Sequence, residues 1–119
     1  MKKNVVKQKS FDFALEIIRL YKILINQNKE YVLSKQLLKS GTSIGAMVRE
    51  SEYAESKADF IHKLAIALKE ANECEYWILL LYHSDYIVLE DYKIISREIN
   101  ELIRLLISII KSSKLNNRK

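Results

Sequence analysis

Apolar residues recur along this chain at alternating steps of three and four, the spacing of amphipathic helices. The clearest run is Phe60, Leu64, Ala67, Ala71, Cys74, Ile78 and Leu81, which predicts a helix over residues 57–83 with a seam suited to knobs-into-holes packing. Ser56-Lys57-Ala58-Asp59 at its start resembles a capping box, with Asp59 standing in for the usual Glu or Gln. Phe11, Ala14, Ile18, Tyr21 and Ile25 predict an earlier helix over about 10–26, with Ser10 as its N-cap and Asp12 in its first turn. Leu37, Gly41, Ile44 and Val48 line one face of a helix over about 31–55. Ile95, Ile99, Leu102, Leu106 and Ile109 do the same over about 90–112.

Polar breaks at residues 26–30 and 84–86 separate these segments, and such short connections favour antiparallel neighbours. The expected fold is all-α, an antiparallel up-down-up-down four-helix bundle in one domain. The last helix also carries Ile103, Leu105, Ile107 and Ile110, so residues 102–110 are apolar almost all round. A monomeric core does not use a second stripe, and these four residues are the expected interface of a homo-oligomer.

Ser40-Gly41-Thr42-Ser43-Ile44-Gly45-Ala46 holds both glycines of the chain inside a predicted helix. Glycine there costs stability, so a neighbour must come close to that face. Ser40, Gly41, Ile44 and Gly45 are read as a helix-packing motif. Membrane dimerisation through GxxxG is excluded by Lys35, Lys39, Arg49 and Glu50 on the same helix. A phosphate loop is excluded because no Gly-Lys-Ser/Thr follows.

Composition narrows the picture further. The 119 residues are nearly half hydrophobic, with two glycines and no proline, which suits long helices. No apolar run approaches the roughly 18–20 residues of a membrane span. The N-terminal run lacks the apolar core of a signal peptide, and the chain reads as soluble and cytoplasmic, without a membrane partner. Cys74 is the only cysteine, which excludes an intramolecular disulfide. The net charge of +5 is unevenly placed. Basic tails, 1–9 and 113–119, are expected to be mobile, and residues 1–9 and 111–119 together hold 8 of the 20 basic residues and no acidic one: Lys2, Lys3, Lys7, Lys9, Lys111, Lys114, Arg118 and Lys119. Residues 10–110 hold 12 basic against 15 acidic residues, a net −3.

Catalytic and metal chemistry find little support. Asp59 and His62 have a helical i, i+3 spacing, but a di-iron bundle needs that pair twice with two further carboxylates. No metal and no cofactor are expected. Helical-bundle ribonucleases often place an arginine four to six residues before a histidine, and neither His62 nor His83 has one. Glu50, Glu70 and Glu73 are read as partners in salt bridges, and the seven tyrosines with Trp77 as core and interface residues. No nucleophile, base and orienting group can be assembled, so the chain is read as a non-enzyme.

The segment 34–46, Glu50, Ser56-Lys57-Ala58-Asp59-Phe60, Ile66 to Ala71 and Tyr76-Trp77 together resemble the 23S ribosomal RNA intervening-sequence protein family. The resemblance covers about residues 10–110. It implies an antiparallel four-helix bundle assembled as a ring-like homopentamer, from genes often embedded in ribosomal RNA inserts. Relatives accompany reverse transcriptases, where a basic oligomer is thought to bind nucleic acid and the polymerase. No catalytic residue is carried over. The family usually has asparagine where this chain has Met47, while Glu50 is retained, so a polar site on this helix is at most partial. The expected function is non-specific binding of RNA or DNA through the eight basic terminal residues. The alternative is a scaffold that docks a partner enzyme such as a reverse transcriptase without touching nucleic acid.

Overall fold

The computed structural model describes residues 2–117, with side chains from Val5 to Asn116. Four helices follow one another: α1 (Lys2–Asn26), α2 (Leu33–Ser51), α3 (Lys57–His83) and α4 (Leu89–Asn117). Cross-helix pairs fix their directions. Lys7 meets Glu52 and Gly41 meets Ile17, so α1 and α2 run antiparallel. Lys63 meets Glu50, and Lys9 and Arg19 meet Glu101 and Asp91, so the remaining neighbours alternate too. Each helix packs on the helices before and after it, and α1 closes the square against α4.

The core is a single cluster from all four helices, with Phe13, Ile17, Leu37, Ile44, Leu64, Ile78, Ile99 and Leu106 almost wholly enclosed. In α3 the buried residues are Leu64, Ala67, Ala71, Cys74, Ile78 and Leu81, as the spacing predicts, while Phe60 at the start of the predicted run is only half-buried. Leu37, Gly41, Ile44 and Val48 of α2 are buried as well.

α1 departs from its predicted register. Its core face is Val6, Phe13, Ile17, Leu20 and Leu24, whereas Phe11 is 46% exposed and Ala14, Ile18, Tyr21 and Ile25 are half-buried beside it. The helix has two apolar stripes, and spacing alone does not say which one enters the core. The expected boundary at Ser10 is also displaced. Val6 and Ser10 are buried mid-helix, and the Ser10 hydroxyl donates to the Lys7 carbonyl instead of capping. Residues 2–9 and 113–117 are therefore helix, not free tails, and Ser113 is buried. Met1, Arg118 and Lys119 lie outside the described residues.

Helix ends are closed by local chemistry. The Ser56 hydroxyl accepts the Asp59 N–H at 3.0 Å, as a cap should. The Asp59 carboxylate accepts from Glu55 N–H, one residue beyond the usual capping-box partner. α2 lacks a side-chain cap at Val32, and Glu30 supplies the acceptor from two residues further out. Its carboxylate takes the N–H groups of Val32, Leu33 and Ser34 at 3.2, 3.0 and 2.6 Å. Burial works to raise the Glu30 pKa, but these donors outweigh it and hold the carboxyl below its ordinary value. Both glycines are spent on helix packing, so the turns after α1 and α3 place Lys29 (φ 55°) and Asp85 (φ 66°) in the left-handed region.

Candidate nucleic-acid interface

The alternating directions put the start of α1, the end of α2, the start of α3 and the end of α4 at one end of the bundle. Among the described residues, Lys7 and Lys9 of α1 and Lys111 and Lys114 of α4 lie at that end, beside Glu50, Glu52, Glu55 and Asp59 of the connection between α2 and α3 and its flanks. Local partners divide these lysines. Lys7 bonds to Glu52 at 3.0 Å and Lys9 to Glu101 at 2.7 Å. The hydrogen bond from Lys9 pulls the Glu101 carboxyl below its usual range, and the same bond raises Lys9. Lys111 and Lys114 are exposed and make no ion pair among the described residues. The side chains of Lys2 and Lys3, together with Arg118 and Lys119, lie outside the described residues.

Sequence reasoning uses Lys35, Lys39 and Arg49 only to exclude a membrane helix and does not place them among the nucleic-acid contacts. All three are exposed on α2, which carries no carboxylate before Glu50. Arg49 lies over the Phe11 ring at 5.8 Å from its centroid. The available signal was the run of residues 33–49, three cations with no counter-charge.

The glycine motif faces α1. A Cβ built on Gly41 would fall 2.8 Å from Cγ1 of Ile17, while one on Gly45 would reach the Ser10 carbonyl at 3.4 Å. Ser40 and Ile44 are buried beside them. Met47 packs against the core. Glu50 is bridged to Lys63 at 3.3 Å, the salt-bridge role expected of it, though with a partner on α3.

On α4, Ile103, Leu105 and Ile110 are half-buried and pack against the core, while Ile107 is 44% exposed. Most of that second stripe is thus absorbed by the protein's own interior. The seam between α1 and α4 is polar. A cavity of about 80 Å³ there is lined by Lys9, Asp12, Glu98, Glu101 and Leu102. Burial, followed by the charge of Glu16, pushes the Glu98 carboxyl upward, and its enclosed Oε1 has no hydrogen-bond partner. Among the described residues no three His, Cys, Asp or Glu side chains could hold a metal ion. Nor is any helix of the described residues long and apolar enough to cross a membrane.

Geometry thus defines an antiparallel four-helix bundle with the start of α1 and the end of α4 at one pole. The family model for 23S rRNA-intervening sequence protein matches residues 2–108, and the chain belongs to that family. A crystal structure of a protein of unknown function from the S23 ribosomal protein family of Bacteroides thetaiotaomicron is similar, at 60% identity and a TM-score of 0.91. The match covers 93% of this chain and 99% of that one. No curated protein matches.

Proposed function

We propose that the protein is a non-enzymatic, oligomeric bundle, a pentamer in its assembled form, that binds RNA or DNA without sequence preference through its basic end. The observation that supports this reading is that the start of α1 and the end of α4, with Lys111 and Lys114 exposed on the latter, lie at one pole of the bundle. Repetition around an oligomer multiplies that charge into a positive face, which attracts a polyanion by releasing its counterions. Lys111 and Lys114 are the described residues best placed to act, being exposed and without a carboxylate partner among the described residues. Lys7 and Lys9 contribute less, because Glu52 and Glu101 already neutralise them.

The test is a salt titration of binding to a single-stranded RNA. The logarithm of affinity should fall with the logarithm of salt at about −0.7 per phosphate neutralised. Replacing Lys2, Lys3, Lys111 and Lys114 by glutamine should flatten that slope and weaken binding by orders of magnitude. No measurable binding at low salt, or the same slope in the variant, would refute the reading.

One observation favours the scaffold alternative. At the opposite pole Tyr31, Val32 and Val88 of the two connections and Leu89 at the start of α4 are 46–73% exposed. A partner protein docking on this apolar pole would survive nuclease treatment in a pull-down and be lost on Val32→Ser with Val88→Ser.

A further inference from the structure

Five positions of α2 spaced 4-3-4-3, Lys35, Lys39, Thr42, Ala46 and Arg49, fall on one helical face, and the three cations among them are exposed. Three of the five, Thr42, Ala46 and Arg49, line a channel of about 110 Å³ against Lys7, Phe11 and Ala14 of α1. Lys39 and Lys35 continue the same face beyond the channel, toward the start of α2. A rise of about 1.5 Å per residue sets Lys35 and Lys39 about 6 Å apart along the helix and Arg49 about 15 Å further on.

No carboxylate answers this row among the described residues. Lys35, Lys39 and Arg49 make no ion pair there. Glu30 is taken by the N–H groups at the start of α2, and Glu50 by Lys63. Asp12 and Glu16 of α1 belong to the α4 side, where Asp12 lines the cavity beside Glu98 and Glu16 pairs with Arg19, itself bridged to Asp91. Lys7 is neutralised by Glu52, so Arg49 supplies the charge at the channel.

The channel also has an aromatic wall. Phe11 is 46% exposed, with the Arg49 guanidinium 5.8 Å from its ring centroid, and Ala14, Gly45 and Ala46 leave the space beside it open. A slot with a ring on one side and a cation at its mouth suits a flat apolar ring tethered to negative charge. An acidic peptide answers the cations and leaves the Phe11 ring uncovered. A duplex answers the cations too, but its base faces stay stacked on one another. A single strand offers both unstacked bases and a row of phosphates.

We propose that single-stranded nucleic acid lies along this groove, with phosphates on Lys35, Lys39 and Arg49 and one base seated in the channel against Phe11. The inference rests on the nucleic-acid reading above and adds to it a site on the flank of the bundle that tells single strands from duplexes.

Fluorescence anisotropy of a labelled oligoadenylate of about 12 nucleotides, with the matching RNA duplex alongside, tests it. Every substitution is at an exposed side chain, and circular dichroism checks the fold of each variant. Phe11→Leu removes the ring and no charge. It should weaken single-strand binding about fivefold to a hundredfold while leaving duplex binding and the salt slope unchanged. Phe11→Tyr should keep the wild-type affinity. Lys35→Gln with Lys39→Gln should weaken single-strand binding and make its salt slope shallower by about 1.4. Single-strand binding indifferent to Phe11→Leu and to the lysine pair overturns the inference, and the pole reading survives if binding still depends on Lys111 and Lys114. Equal losses on duplex and single strand from Phe11→Leu, or displacement of the oligoadenylate by polyglutamate at equal concentration, also overturn it. Losses in the groove variants with none on replacing Lys111 and Lys114 support the groove and remove the pole. No binding of either nucleic acid at low salt overturns both.

Discussion

Gly41 and Ile17 touch so closely that the two helices carrying them have no space for a methyl group. A Cβ on Gly41 would lie 2.8 Å and 2.9 Å from the two γ-carbons of Ile17 and 3.2 Å from its Cβ. Ile17 is fully buried and β-branched, so it cannot swing away. Gly41→Ala should therefore cost about 1–3 kcal/mol, the overpacking penalty exceeding the roughly 1 kcal/mol gain in helix propensity. Gly45→Ala meets only ordinary contact distances and should be neutral or stabilising by up to about 1 kcal/mol. Chemical denaturation of the two variants side by side gives the comparison, and equal losses would refute it.

Glu30 caps α2 through its carboxylate, so its loss should be felt in acid. The folded pKa is lowered, which makes its stabilisation complete above the unfolded value near 4.5 and lost as pH falls through the folded one. Glu30→Gln should lower stability at pH 7 by about 0.5–1 kcal/mol, and the difference from wild type should vanish at about pH 2–3. Thermal melts at both pH values measure this.

Glu98 has the opposite sign. Its raised pKa means that the fold disfavours the charged form, so the cost is present above the folded pKa and relieved as pH falls below it. Glu98→Gln should raise the melting temperature at pH 7 by roughly 2–4 °C and have no benefit at about pH 4 and below. A loss at neutral pH would show that Glu98 has a partner worth keeping.

Cys74 is buried, and desolvation pushes its thiol up to about 12. A disulfide reagent at pH 8 should label it only as fast as the bundle opens, and denaturant should accelerate labelling by orders of magnitude. Immediate labelling of native protein would contradict the packing of α2 on α3.

Asp85 holds a left-handed conformation in the turn after α3, where glycine has no steric penalty. Asp85→Gly should stabilise by about 0.5–1 kcal/mol, read from the denaturation midpoint.

The sequence made α3 legible because Phe60 to Leu81 form one uninterrupted seam with charged residues around it. α1 was harder for a physical reason. Phe11-Ala14-Ile18-Tyr21-Ile25 is as regular as the stripe through Phe13, Ile17, Leu20 and Leu24, and a single chain cannot say which is covered by its own core. Ser10 looked like a cap because serine before an apolar run usually is one, yet Val6 extends the helix beyond it. Glu30 escaped notice because it acts from outside the ordinary cap position. The charge of the two terminal segments was readable as composition, but which lysines are neutralised depends on Glu52 and Glu101, which are distant in sequence.

The square arrangement has a consequence for the order in which the chain assembles. Three of its four seams join consecutive helices across turns of a few residues, so each can form early at small entropic cost. The seam between α1 and α4 must instead close a loop of about seventy residues, as the pairing of Arg19 with Asp91 shows. That polar, cavity-bearing seam is expected to be the last to zip shut and the first to part, which hydrogen exchange along α4 would check.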